Sequence, residues 1–286
     1  MLSLMKIINR TKMKLSNKLL IGLGIGLFTL ILSGVIIANT GGVDQAEYWK
    51  SIENEAKNFS SESKYLKGNK LNTYNSIKLN SEHSRGVQLH LIKDETYGFK
   101  SNSEANEVEI SNDNEGLVLN FKTKSYHHLH VYLYAPHFEN VTLSNLNLDE
   151  LVTSEDSLKL DILNASWGSY NIENESLKFL NLSLTNSSID NTLKIGKLEN
   201  LNLKLTNSAI KLQPSSIKGL TVQAENSRFA IEEPNGPTTI SSLSVVTQGK
   251  STISLPTKIS VDKIEGNLSD STSINFPVFL LKNLIK

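Results

Sequence analysis

The chain has 286 residues, 38% hydrophobic and 20% charged, which is the composition neither of a disordered chain nor of a polytopic membrane protein. The five charges before residue 41 (Lys6, Arg10, Lys12, Lys14 and Lys18) are all cations. That leaves 24 basic against 29 acidic residues in the remainder, an acidic body unsuited to nucleic-acid binding. There are no cysteines, which excludes disulfides, thiol catalysis, Cys-based zinc sites and lipid attachment through a cysteine.

Residues 19–38 read LLIGLGIGLFTLILSGVIIA, 20 residues without a charge. At helical rise this run is about 30 Å long, enough to cross a bilayer core. The basic residues before it predict a cytoplasmic tail over 1–18 and export of everything after residue 40. A cleaved signal peptide is the alternative. Its apolar region is normally shorter, and Ile36-Ile37-Ala38 is a poor cleavage site. The reading is a single-pass membrane protein held by 19–38, with its head periplasmic or at the cell surface.

Residues 39–71 form a polar spacer. Trp49, Ile52, Ala56 and Phe59 recur there at 3, 4 and 3 residues, which predicts one short amphipathic helix.

From residue 72 the period changes to two. Val108-Glu109-Ile110, Leu117-Val118-Leu119-Asn120-Phe121 and Leu129-His130-Val131-Tyr132-Leu133 alternate apolar with polar, and Gly98, Asn112-Asp113-Asn114 and Gly116 punctuate them. Further on, one pattern recurs: apolar, polar, apolar, polar, Asn, small, any residue, apolar. Leu182-Ser183-Leu184-Thr185-Asn186-Ser187-Ser188-Ile189 and Leu203-Lys204-Leu205-Thr206-Asn207-Ser208-Ala209-Ile210 are the clearest copies. The asparagines fall at Asn145, Asn164, Asn186, Asn207 and Asn226, spacings of 19, 22, 21 and 19. In two fainter copies, Gln248-Gly249 and Asp270 replace Asn.

A period near 20 with several short strands per repeat predicts an all-β fold over 72–286, a right-handed parallel β-helix (β-solenoid) of about seven to nine coils. One such coil cannot bury its own apolar face, whereas coils stacked about 4.8 Å apart pair every strand and share a dry interior. Asn at the corner tolerates left-handed backbone, and stacked amides can hydrogen-bond along the axis, so the five asparagines read as a structural turn column. A carbohydrate-binding asparagine ladder is the sharper reading of the same residues. Trp167 fills the apolar slot held by Ile189, Ile210 and Phe229 elsewhere, which predicts a core residue. Open ends need caps. The stretch Ile274 to Leu281, with Pro277 stopping further pairing, is expected at one end. The Trp49 stretch or the early strands are expected at the other.

Three features carry a resemblance to a known family. Ile77-Lys78-Leu79 and Val87-Gln88-Leu89-His90-Leu91 look like an opening hairpin. Leu129 to Pro136 looks like a strand-then-proline step ahead of the first coil. The coils from Asn145 to Asn226 stand where the family usually has a Gly-Ser or Gly-Ala-Ser step; here Asn meets the same backbone demand. The region from about 73 to 276 thus resembles the head GIN domain family of auto-transporter adhesins, common in Bacteroidetes-type bacteria. The resemblance implies a right-handed β-helix and an exported, surface-associated role, with no catalytic residue to carry over.

Candidate chemistry is sparse. His127, His128, His130 and His137 cluster within eleven residues without an acid among them, so polar positions on an exposed strand are preferred to a metal site. Asp149-Glu150, Glu155-Asp156 and Glu173 with Glu175 are expected as solvated acids at turns. Arg228 is expected to pair with Glu225. No nucleophile elbow, P-loop or dinucleotide fingerprint follows a strand. No catalytic, cofactor-binding or metal-ligating residue is therefore assigned. The reading is a non-catalytic structural or adhesive envelope module with an envelope glycan or protein as partner, and the alternative is a carbohydrate-active β-helix enzyme, a polysaccharide lyase or hydrolase.

Overall fold

The computed structural model describes residues 22–33, 45–82, 86–103, 107–113, 116–122, 129–167, 172–173, 176–189, 192–233 and 238–284. The chain divides into two compact units, Met1–Glu53 and Asn54–Lys286.

In the first unit residues 22–33 are helical (α1). Its two hydroxyls fold back onto the helix: Thr29 Oγ1 donates to Ile25 O at 2.8 Å and Ser33 Oγ to Leu30 O at 3.0 Å. Among the described residues no helix is long and apolar enough to cross a membrane. The apolar run expected to do so extends on both sides of α1 beyond the described residues. Helix α2 (Gln45–Ala56) is the short helix anticipated from the Trp49 spacing.

The second unit is all β apart from the end of α2 and a C-terminal helix. Its first face stacks β6 (Gly116–Phe121), β2 (Ser76–Ser81), β8 (Asn140–Ser144), β10 (Ser157–Leu163) and β13 (Phe179–Thr185). The later parts of β15 (Leu193–Thr206), β16 (Ala209–Glu225), β18 (Thr238–Gln248) and β20 (Ile259–Asn267) continue it. Every pairing among these nine is parallel. Alternation turns one set of side chains inward: Leu160, Leu182, Leu203, Val222 and Val245 stand in register and are all buried. Each such side chain contributes about 1.5–3 kcal/mol by leaving water. The registers run without a shift although the repeats differ in length, so the extra residues fall outside the paired strands.

A second face follows each asparagine corner. It stacks β7 (Leu129–Ala135), β3 (Gly86–Lys93), β9 (Asn147–Thr153), β11 (Ser166–Trp167) with β12 (Ile172–Glu173), and β14 (Ser188–Ile189). The start of β16, β17 (Arg228–Ile231), β19 (Thr252–Ser254) and β21 (Ser273–Asn275) complete it. Trp167 pairs with Leu148 and Ile189 in this ladder, the register position its sequence slot predicts.

The solenoid makes about six turns, against the seven to nine coils expected. At the N-terminal end the stacking order departs from the order in sequence. Strand β2 pairs with β6 on one side and with β8 on the other, and β3 lies likewise between β7 and β9. The outermost stacked strands are therefore β6 and β7, which come later in sequence than the β2 and β3 they cover. For the same reason β2 and β3 do not form the expected hairpin; each finds its partners in neighbouring coils.

Antiparallel strands close that end, as the reading of early strands as a cap requires. β5 (Val108–Asp113) pairs with β6, β4 (Gly98–Ser101) with β7, and β1 (Lys67–Lys70) with β4. Around them Phe99, Phe121, Tyr134 and Phe138 are buried. Phe59 meets Tyr134 edge-on at 5.6 Å, and a Cβ at Gly98 would lie 2.4 Å from the Phe59 ring, so only glycine fits there. Lys100 is buried with its ammonium donating to Glu55 O, Asn58 O and Ser61 O at 2.6, 3.1 and 2.9 Å. At the other end β21 stops at Asn275, Pro277 precedes helix α3 (Val278–Leu284), and Leu280 enters the core. The C-terminal cap is thus a helix that starts at the expected proline, consistent with proline's fitness for a first helical turn.

Candidate functional site

The corners between the first two faces organise the most distinctive surface. Asn145, Asn164, Asn186, Asn207 and Asn226 have φ between 48° and 56°, and they are the only non-glycine residues with positive φ among those described. Gly249 takes the same corner in the following coil at φ 59°, whereas Asp270 does not adopt it. Each asparagine N–H donates to a carbonyl of the next coil, as Asn186 does to Thr206 O and Asn207 to Glu225 O, both at 3.0 Å. The side-chain amides also link. Asn207 Nδ2 donates to Asn186 Oδ1 at 3.2 Å, and Asn186 Nδ2 to Asn164 Oδ1 at 3.3 Å. The same polarity continues at the N-terminal end through two residues that the repeat pattern did not reveal: Asn145 Nδ2 donates to Asn80 Oδ1 and Asn80 Nδ2 to Asn120 Oδ1.

One residue on lies a second ladder, of serines, that sequence reasoning passed over as merely small. Ser187, Ser208, Ser227 and Ser251 are buried. Each hydroxyl accepts from the preceding coil: Ala165 N to Ser187 Oγ, Ser187 N to Ser208 Oγ, Ser208 N to Ser227 Oγ and Ser227 N to Ser251 Oγ, at 3.0–3.3 Å. Each also donates to a carbonyl within its own corner, as Ser208 does to Thr206 O at 2.7 Å. The hydroxyl supplies the hydrogen bonds that the backbone loses on turning, which is why a serine there can be buried. The signal in the sequence was the recurrent Asn-Ser dipeptide at 186–187, 207–208 and 226–227.

Between these corners and the outward residues of the second face runs an open groove of about 600 Å³. Asn186, Asn207 and Asn226 form one wall and the buried Ser187, Ser208 and Ser227 the floor, while Ser188, Ala209, Arg228 and Thr252 form the other wall, with Lys250 at the C-terminal end. Among the described residues no carboxylate and no histidine lines it. Arg228 does not pair with Glu225, and neither Arg228 nor Lys250 makes an ion pair among the described residues. Arg228 stands instead on the wall, in register with Ala209 and Thr252.

The other candidate groups are dispersed. His127 and His128 lie outside the described residues. His130 is buried rather than exposed, on a strand paired on both sides by β3 and β4, and its N–H donates to Asn102 Oδ1 at 2.9 Å. His90 stacks on Tyr132 at 4.4 Å, and burial first, then the neighbouring His130, lowers its pKa from 6.5 to about 4. His137 reaches Glu155 Oε2 at 3.1 Å. Among the described residues no three His, Cys, Asp or Glu side chains converge as a metal site would need.

Among the acids, Asp156 is exposed at the bend between β9 and β10 as expected, and others depart from the expectation of solvated turns. Glu155 is 1% exposed and accepts from Phe138 N, with Lys93 Nζ 3.2 Å and His137 Nδ1 3.1 Å from its carboxylate, so it ties three segments together from the inside. Asp149 and Glu150 lie within β9, where the register against β3 slips by one residue between Val87 and Gln88. Glu173 sits in β12, and Glu175 lies outside the described residues.

No protein-family model and no curated protein matches the sequence. Three solved structures similar to this chain are putative adhesins. The one from Parabacteroides merdae ATCC 43184 is 14% identical over 73% of this chain and 94% of its own, with a TM-score of 0.35. The one from Bacteroides fragilis NCTC 9343 is 13% identical over 74% and 96%, with a TM-score of 0.36. The one from Parabacteroides distasonis ATCC 8503 is 13% identical over 73% and 92%, with a TM-score of 0.29.

Proposed function

We propose that this protein is a membrane-anchored, exported envelope or surface module whose right-handed parallel β-solenoid is a non-catalytic head for binding or adhesion. Its parts are a cytoplasmic tail over 1–18, an anchor over 19–38, a spacer over 39–71 and the head over 72–286. The single observation that carries the binding reading is the groove along the asparagine corners. It offers amides, hydroxyls and two cations, and none of the described residues that line it is the acid or base that glycosidic cleavage needs. The anchor rests on the uncharged 20-residue run and the five cations before it. The internal bonding of Thr29 and Ser33 suits apolar surroundings, where every polar group must find its partner within the helix.

The experiment is a screen of the full-length chain, solubilised in mild detergent, against envelope glycans and surface polymers, with turnover followed in the same samples. Saturable binding without product is expected, and release of product would favour the lyase or hydrolase alternative. Carbonate extraction of membranes and N-terminal sequencing test the anchor. The chain should stay in the pellet with its first 38 residues attached; a mature N-terminus near residue 39 would mean a cleaved leader.

A further inference from the structure

We infer that the groove beside the asparagine column takes an acidic, extended glycan lying along the solenoid axis, with its carboxylates at Arg228 and Lys250. The inference rests on the binding-head reading and gives that head a ligand class. Four observations point the same way.

The first is what the groove has already used up. An extended peptide added to a sheet needs free backbone groups, or an apolar pocket for side chains. Here the corner N–H groups of Asn186, Asn207 and Asn226 are bonded to the next coil, and those of Ser187 and Ser208 to serine hydroxyls. Apolar lining is limited to Ala165 and Ala209. Neither requirement of a peptide is met.

The second is what remains free. Asn186 and Asn207 each spend one amide hydrogen on the ladder, and an amide carries two. The second hydrogen and the remaining oxygen lone pair of each of these exposed asparagines are not used by the ladder, and both residues line the groove. This is a donor and acceptor array repeating about every 4.8 Å along the axis, the coil spacing. A ligand bearing hydroxyls at regular intervals matches such an array, and a sugar chain is one.

The third is the charge. The body of the protein is acidic, yet among the described residues Arg228 and Lys250 line this groove with neither an ion-pair partner nor a carboxylate beside them. Arg228 is the sole described arginine, and its planar fork suits a carboxylate in two-point contact.

The fourth is the number of cations. Two are too few to hold a densely charged nucleic acid against the repulsion of an acidic body, but they suit a chain with one carboxylate per sugar unit.

The test uses the full-length chain in detergent, with polygalacturonate as the acidic probe and hydroxyethylcellulose as the neutral one. Binding is read by affinity electrophoresis and calorimetry. Binding of polygalacturonate, but not of hydroxyethylcellulose, is expected. Replacing both cations (Arg228→Ser with Lys250→Ser) should weaken it about tenfold, and so should 0.5 M salt, since each exposed charge contact is worth up to about 1 kcal/mol and 1.4 kcal/mol is tenfold. Ala209→Trp, which fills the groove without touching either ladder, should abolish it. Lys194→Ser with Lys211→Ser removes two exposed cations that do not line the groove and should leave binding unchanged. Equal binding of both probes, insensitivity to the Arg228 and Lys250 changes, or an equal loss in the Lys194 and Lys211 control would each overturn the inference. In those cases some glycan is still bound and the binding-head reading stands. Failure of the wild-type chain to bind any probe or polymer in the wider screen would remove both.

Discussion

Asn207 and Asn186 face each other across 3.2 Å, amide nitrogen to amide oxygen, and both backbones are left-handed at φ 49° and 48°. The same two residues therefore meet a backbone demand and a side-chain demand at once. The two can be separated. Asn207→Ala keeps neither, and a left-handed non-glycine residue costs about 1–2 kcal/mol. Asn207→Gly restores the backbone and loses only the amide link. Urea unfolding should rank the wild type above Asn207→Gly, and Asn207→Gly above Asn207→Ala, with about 2–3 kcal/mol across the series. The natural Gly249 corner shows that glycine is accommodated. The reverse order of the two variants would mean that left-handed φ does not govern this corner.

Ser208 should be as sensitive as Asn207 although it bears no special φ. Ser208→Ala strips the acceptor from Ser187 N–H and the donor from Thr206 O, both in a buried corner. Leaving such groups unpaired costs about 1–3 kcal/mol. The same change at exposed Ser241 should stay within about 0.5 kcal/mol, the range for surface positions without special contacts. Matched chemical denaturation of the two variants decides the point, and equal losses would speak against the serine ladder.

Lys100 holds the N-terminal cap by placing one ammonium under three carbonyls. Burial lowers its pKa, with Glu55 and Asp94 opposing. Lys100→Met keeps most of the volume and leaves Glu55 O, Asn58 O and Ser61 O without that donor. Hydrogen exchange should then speed up over residues 57–66, while the stacked strands from 140 onward keep their protection. Uniform acceleration throughout would show the cap and the solenoid to be one cooperative unit.

His90 gives the fold an acid limit. Its folded pKa of about 4 lies below the unfolded value of 6.5, so between those values the unfolded chain binds the extra proton. Stability is thus unaffected by His90 above pH 6.5 and falls as the pH drops towards 4. The full shift corresponds to about 3 kcal/mol. In His90→Gln the urea midpoint should change less between pH 7 and pH 4.5 than in the wild type. Parallel pH dependences would place the acid sensitivity elsewhere.

The sequence by itself determined the repeating part. A corner that needs left-handed backbone selects Asn or Gly whatever lies around it, and a two-sided strand must alternate, so Leu182, Leu184, Asn186 and their equivalents mark the β-solenoid from local chemistry alone. The apolar run of residues 19–38 has the same local legibility, as a run of hydropathy. Tertiary structure decided everything that depends on which segment becomes a neighbour. It placed β6 and β7 outside β2 and β3, which removed the supposed hairpin. It buried His130 and Glu155, which read as surface residues, because the cap and Lys93 happened to lie beside them. It also turned a recurrent small residue into a hydrogen-bonded serine column and set Arg228 on a groove wall away from Glu225. A corner's φ is set within a few residues, whereas a buried hydroxyl, carboxylate or cation acquires its meaning only from a partner some twenty or more residues away.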